Sequence, residues 1–451
     1  MSQTLIELQG ALESERTSSV ALTEAALARA QASDGEGARV FTRLHAEGAL
    51  KAAQASDALR HAGFPRSALE GLPISIKDLF DVAGDVTMAG SAALDDAPPA
   101  KADAPVIKRL IAAGAVLIGR TNMTEFAFSG LGLNPHYGTP LNPFDRAAKR
   151  IPGGSSSGAA VSVSDGMAAA AIGTDTGGSV RIPAALCGLT GFKPTARRVP
   201  RDGALPLSTS LDSVGPIGRS VACCAMLDAI LSGTGESLLG EASLAGLRLA
   251  VPRTVALDGM DAAVAASFDA ALATLSRAGA QIREIAVPEF AQLGAINAKG
   301  GLAAAEAWHW HRELIQRAGD RYDPRVRVRI LRGREISAAD YIDVLEARAA
   351  WIGAVEARIA PFDALVMPTV PVVAPRIDEL ADDAVFGATN LLILRNPTFI
   401  NFLDGCALSL PCHRPGEAPV GLMLAGAGGR DRAILSIGQA VEQALRAANG
   451  N

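Results

Sequence analysis

No run of about 18 consecutive apolar residues occurs in this 451-residue chain, so a membrane-spanning helix is not expected. The opening MSQTLIELQGALESERT lacks a basic segment followed by an apolar one, which argues against a standard secretion signal. No lysine–arginine run is present and the net charge is −5, which excludes nucleic acid as the main partner. Cysteine is sparse: Cys187, Cys223, Cys224, Cys406 and Cys412 are odd in number and show no C-x-x-C spacing. That disfavours a disulfide framework or a structural zinc, and points to buried free thiols in a reducing cytoplasm.

What is present is an ordinary globular composition, 49% hydrophobic and 20% charged, in a chain long enough for a sizeable core. Helical apolar spacing runs through Thr4–Ala32 and Glu47–Ala62, with Ser18 and Ser19 as candidate caps between two early helices. Leu72–Lys77 alternates like a strand, and a helix near Pro105–Ala113 leads into the strand candidate Ala115–Ile118. From Leu141 to Gly191 the chain is crowded with Gly, Ser and Thr, leaving a helix at Gly158–Asp165 and a strand at Ala168–Ile172. After Ser232 strands are predicted at Leu247–Val251, Gln281–Val287, Ala364–Met367 and Val420–Ala425. Helices are predicted at Met260–Ala278, Leu302–Arg317, Ala338–Ile359 and Asp431–Arg446. This βα alternation favours an α/β fold in one domain over residues 1–451, since no repeat or long linker divides the chain.

The Gly/Ser-rich centre admits several motif readings. Pro152–Gly158 lacks the lysine of a phosphate-cradling G-x-x-x-x-G-K-[ST] loop. Gly154–Gly158 also fits G-x-S-x-G, with Ser156 attacking and Asp404 and His413 completing a triad. That elbow needs a buried strand directly before it, and Phe144–Arg150 is charged and loop-like. Asp175-Thr176-Gly177 matches an aspartic-protease triplet, but that chemistry needs a second carboxylate triplet, which the chain lacks.

Taken whole, the block Gly153–Gly158, Gly173–Ala184 and Gly191–Thr195 resembles the amidase signature family. Gly71–Asp78 matches that family's lysine motif, and clear similarity runs from about residue 70 to 215. The resemblance implies a single α/β domain: a mixed twisted sheet covered by helices on both faces, with a substrate-specificity half over about 232–451. It further implies Ser179 as nucleophile, Ser155 as a bridging serine after a cis peptide, and Lys77 as base, with no metal or organic cofactor. Thr176, Gly177 and Gly178 would form the oxyanion turn, and Ala127 and Ser129 would line the substrate channel. The implied reaction is hydrolysis of a small-molecule linear amide through a serine acyl-enzyme. A homodimer is compatible with this reading. The alternative within the family is the glutaminase (A) subunit of a glutamyl-tRNA amidotransferase, which would need partner subunits.

The chemistry suits these residue types. A neutral amide needs an activated nucleophile, a proton carrier and an anion hole. Lysine serves as a base only when neutral, and burial without a carboxylate partner lowers its pKa from about 10.4. Asp78, next along the strand, alternates to the other face and need not pair with Lys77. Asp175 and Arg181 read as a structural pair flanking the turn, and Ser156 and Ser157 as helix caps. Trp308-His309-Trp310-His311 looks metal-like, but residues two apart on a helix diverge. His136 and His413 are expected in ordinary loop hydrogen bonds. Specificity is expected from loops in the C-terminal half, roughly Leu302–Arg334 and Asn396–Asp404.

Overall fold

Leu72–Lys77 alternates in sequence, yet in the computed structural model, which describes residues 3–235, 239–240 and 242–449, every residue of its strand is buried. The reason is its place: the strand runs parallel between two neighbours, and helices cover both faces.

The strands in chain order are β1 (Phe41–Leu44), β2 (Pro73–Lys77), β3 (Val116–Thr121), β4 (Ala170–Asp175), β5 (Thr190–Lys193) and β6 (Ser213–Gly218). They continue as β7 (Arg248–Pro252), β8 (Gln281–Ile285), β9 (Ala364–Pro368), β10 (Cys406–Pro411) and β11 (Gly421–Gly426). All eleven belong to one sheet, ordered β1-β3-β2-β4-β6-β5-β10-β11-β9-β7-β8. Parallel blocks β3-β2-β4 and β9-β7-β8 flank an antiparallel middle, so the sheet is mixed. The two halves of the chain meet where β5 pairs with β10, Phe192 opposite Leu408. The C-terminal half therefore extends the same sheet rather than forming a second one.

Side-chain alternation splits the core between the two faces. On β4, Ala170 and Ile172 join one cluster with Leu5 and Leu227, while Ala171 joins another with Ala26 and Ala160. On β11, Leu422 and Leu424 pack with helices 262–277 and 431–448. Met423 and Ala425 point the other way, towards Trp351, Phe399 and Ile400.

Of the two candidate caps, Ser18 accepts the Ala21 N–H at 3.1 Å and starts the helix Ser19–Gln31. Ser19 lies inside that helix and donates its hydroxyl to the Gly71 carbonyl. Ser156 and Ser157 do not cap as expected. Ser156 stands at the N-cap of helix Ser157–Ser164 without a side-chain cap bond, because the Asn122 carbonyl takes the Gly158 N–H at 2.9 Å.

A larger correction concerns Asn396–Asp404, which the sequence suggests is a loop. Most of it is the last part of a 20-residue helix, Asp383–Phe402, that carries Pro397 inside. Proline removes one helical hydrogen bond. Here tertiary contacts hold the segment, with Asn396 Nδ2 donating to the carbonyls of Ala256 and Pro368 at 2.9 Å each. Within 302–334 the predicted helix Leu302–Arg317 is present as Gly301–Ala318, and a second helix, Pro324–Leu331, takes most of what was expected to be loop.

Strand β6 passes very close to β5: a Cβ at Gly215 would stand 2.1 Å from the Phe192 carbonyl oxygen, a backbone atom. Gly215→Val should therefore destabilise the protein by roughly 1–3 kcal/mol, seen as a lower urea midpoint. An unchanged midpoint would mean that β5 and β6 separate freely.

Candidate active site

The centre forms where the parallel strands β2 and β4 end side by side. Lys77, the last residue of β2, is fully buried, and its Nζ donates to Ser155 Oγ at 2.7 Å and Thr174 Oγ1 at 3.0 Å. Asp78 faces away and accepts from Arg120 Nε at 2.6 Å, so the neighbouring carboxylate does not neutralise the lysine. Burial pushes the Lys77 ammonium down to about 7, while the more distant Asp212 and Asp175 pull it the other way.

Ser155 follows a cis Gly154–Ser155 peptide bond, as the resemblance implies. Its segment is tightly seated, since a Cβ at Gly154 would approach the Gly132 nitrogen to 2.6 Å. Backbone bonds fix it on both sides: Thr124 N–H donates to Ser155 O at 3.0 Å, and Ser156 N–H to Ser179 O at 3.3 Å. The second of these ties the serine segments together. No hydrogen bond joins the Ser155 and Ser179 hydroxyls among the described residues; hydroxyl contacts of this kind commonly tighten only with substrate.

The turn from β4 into helix Arg181–Leu186 carries Thr176, Gly177, Gly178 and Ser179. Asp175 organises it, accepting from the N–H groups of Gly178 at 2.8 Å and Val180 at 3.1 Å. Arg181 closes on the same carboxylate at 2.9 and 3.0 Å, with both side chains wholly buried. Burial alone would push the Asp175 carboxyl up, but Arg181, with Lys193 and Asn401, holds it well below the usual carboxylate range. Thr176 Oγ1 donates to Asp212, whose carboxyl burial pushes up to about 6. The Gly178 N–H is thus already engaged, whereas those of Gly177 and Ser179 meet no acceptor among the described residues.

Above this turn lies a cavity of about 780 Å³ reached by Thr176, Gly177 and Ser179. Ala127 and Ser129 line one wall, and Leu211, Phe290, Phe399 and Phe402 give the rest a largely apolar character. The Ser129 hydroxyl donates to Asn390 Oδ1 at 2.8 Å. Arg329, Arg332, Asn390, Arg395 and Thr398 also face the cavity; Arg329, Arg332 and Thr398 fall in the two stretches expected to set specificity, whereas Asn390 and Arg395 lie outside them. A signal existed in the arginine-rich Arg325–Ile330 stretch, but only the fold brings it over the turn.

The histidines lie apart from this centre. His311 is buried against Tyr322 Oη at 2.9 Å, whereas His309 is near Arg312 in an exposed contact. His136 meets Glu125 at 2.9 Å, and His413 sits by the backbone of Val420. Asp404 lies beside Ala196 and Arg197, so it does not join His413 and Ser156 in a G-x-S-x-G triad. Among the described residues, no group of three or more His, Cys, Asp or Glu is placed to hold a metal ion.

The family model described as Amidase matches residues 21–435. The chain belongs to the amidase family. The protein is thus an amidase-family hydrolase acting on carbon–nitrogen bonds. This amidase is 37% identical over 400 residues to 2-amino-5-chloromuconic acid deaminase of Comamonas testosteroni, covering 87% of this chain and 86% of that one. It is 35% identical over 470 residues to the A subunit of a glutamyl-tRNA(Gln) amidotransferase from Chloroflexus aggregans, covering 96% and 94%. Among solved structures, one described as an amidase superposes with a TM-score of 0.87 at 33% identity, covering 98% of this chain and 99% of that chain. The peptide amidase of Stenotrophomonas maltophilia gives 0.82 at 26% identity, covering 98% and 97%.

In this amidase the turn depends on a buried ion pair. Arg181→Met would leave the Asp175 carboxylate buried without its cation, and should cost about 3–5 kcal/mol of stability. Thermal unfolding should show a clearly lowered transition. A variant that melts with the wild type would contradict the pairing.

Proposed function

We propose that this amidase hydrolyses a linear small-molecule amide through an acyl-enzyme on Ser179, with Ser155 as relay and Lys77 as base. The observation that carries the reading is Lys77 itself: a buried amine without a carboxylate at contact distance, 2.7 Å from a serine hydroxyl. A lysine with a pKa near 7 is substantially neutral at neutral pH and able to accept a proton.

In this scheme the Ser179 hydroxyl proton passes through Ser155 to neutral Lys77 as Ser179 Oγ attacks the amide carbon. The tetrahedral oxyanion gathers peptide N–H donors of the 176–179 turn. Gly177 and Ser179 are the best placed, since they have no competing acceptor, while the Gly178 N–H is shared with Asp175. The proton then returns from Lys77 through Ser155 to the departing nitrogen, the C–N bond breaks, and the acyl ester remains on Ser179. Water attacks that ester by the same route, releasing the acid and restoring the hydroxyl. Ala127 and Ser129 would border the bound substrate. The scheme needs no metal or organic cofactor, and the five buried free thiols suit a reducing cytoplasm.

A second reading, the glutaminase subunit of an amidotransferase, draws on the amidotransferase relatives that cover almost the whole chain. The size and mainly apolar wall of the cavity favour a bulkier substrate than glutamine. Purified protein that hydrolyses glutamine only after partner subunits are added would decide for the second reading.

Ser179→Ala should lower kcat on any accepted amide by on the order of 10⁴ while thermal unfolding stays unchanged; near-normal turnover would refute the nucleophile. The base assignment fixes the pH dependence. Protonated Lys77 cannot accept a proton, so kcat/KM should rise with pH through an apparent pKa near 7 and then level. Lys77→Ala should abolish that limb and reduce kcat by about 10²–10⁴. A wild-type profile flat across that range would exclude Lys77 as base.

A further inference from the structure

The cavity over Ser179 is electrically one-sided. Arg329, Arg332 and Arg395 are the charged residues on its wall, and no aspartate, glutamate or lysine accompanies them among the described residues. None of the three forms an ion pair among the described residues, although the adjacent Arg325 pairs with Asp383 at 2.7 Å. Their hydrogen bonds go to neutral oxygens. Arg329 Nη1 donates to the Phe128 carbonyl at 2.6 Å, and Arg332 Nη2 to the Ala298 carbonyl at 3.1 Å. Arg395 donates from Nε to Asn396 Oδ1 and from Nη2 to the Ala256 carbonyl, each at 3.1 Å. Each guanidinium has five N–H donors, so most of this capacity meets no protein acceptor among the described residues.

Arginine stems often cover apolar surface while the head reaches water. That suits Arg332, which is exposed, better than Arg329 and Arg395, which are half-buried. Burial lowers the pKa of both and outweighs the nearby carboxylates, Asp323 for Arg329 and Asp258 for Arg395, neither of which forms an ion pair with them among the described residues. Position strengthens the case. Thr398 Oγ1 stands 3.2 Å from where a Gly177 Cβ would be, and Arg395 precedes Thr398 by three residues on the same helix. Residues three apart share a helix face, so Arg395 stands about one turn from the nucleophile's loop. Arg329 is fastened to Phe128, between Ala127 and Ser129, and Ser129 in turn donates to Asn390 on the helix of Arg395, which links the two arginine-bearing segments at the cavity.

We propose that the substrate of this amidase carries a carboxylate, gripped by Arg329 and Arg395 while its scissile amide lies against Ser179. The proposal rests on the amide-hydrolase reading for its orientation, although the anion site itself does not. A planar carboxylate matches the guanidinium fork, and the apolar wall accommodates a hydrocarbon spacer between carboxylate and amide. The exposed Arg332 adds attraction for an incoming anion.

The test uses Ser179→Ala protein and monoamides of dicarboxylic acids, from succinamic to suberamic acid, each compared with its neutral diamide by calorimetric titration. At least one acid should bind roughly 30-fold or more tightly than its diamide. Arg329→Met or Arg395→Met should bring that preference down to a few-fold, with Arg395→Lys in between. Equal affinities throughout the series, or a preference untouched by both methionine variants, would overturn the proposal. The ligand comparison reads charge preference with both arginines in place, so the test stands even where an arginine variant folds poorly. Turnover by the wild-type enzyme separates the two readings. Hydrolysis of amides without preference for the acids overturns the carboxylate site and spares the hydrolase. Arginine-dependent binding of acids with no amide hydrolysed does the reverse.

Discussion

The buried pair of Asp175 and Arg181 is the interaction on which the centre depends. Its carboxylate ends β4, receives the peptide N–H groups of the following turn, and takes the guanidinium from the next helix. Arg181 also donates to the Pro397 carbonyl at 3.1 Å and to Asn401 Oδ1 at 2.6 Å. A single ion pair thereby fixes the turn bearing Ser179 and attaches it to the helix that walls the cavity. Satisfaction is what allows the charges to be buried: both carboxylate oxygens and the guanidinium have named partners, which offsets the cost of removing them from water.

Lys77 lives under the opposite rule. Its partners are hydroxyls, and the carboxylate next to it in the chain, Asp78, is turned to Arg120 by the alternation of the strand. Desolvation then dominates, and the amine moves down towards neutrality. Asp175 thus stays ionised while Lys77 loses charge under the same burial, because one has a cation beside it and the other has no anion in contact. Two neighbouring strand ends hold the charged anchor and the neutralised amine.

Much of the candidate centre was legible in the sequence. The Gly/Ser-rich block drew attention to Ser155 and Ser179 and the separate Gly71–Asp78 motif to Lys77, and the structure brings Lys77 and Ser155 into contact and the two serine segments together. Local signals also marked the outer helices and most of the parallel strands. The antiparallel middle was harder: β6 reads Ser-Val-Gly-Pro-Ile-Gly, and its glycines and proline look like a turn until both neighbours are in place. The helix Asp383–Phe402 was hidden for a similar reason, since Pro397 is a local breaker whose segment is held by contacts far along the chain.

By itself, then, the sequence determined the fold class through its βα alternation, and the family through the resemblance of its ordered motifs, because both rest on residues close together in the chain. Tertiary structure alone decided which groups are charged, which N–H donors are spare, and what walls the cavity. Those properties depend on burial and on partners hundreds of residues apart, such as Asn401 for Asp175. The gathering of Arg329 and Arg395 over the turn of Ser179 is of that kind. In sequence they are ordinary arginines on two separate helices; in the fold they bring positive charge to an otherwise largely apolar cavity.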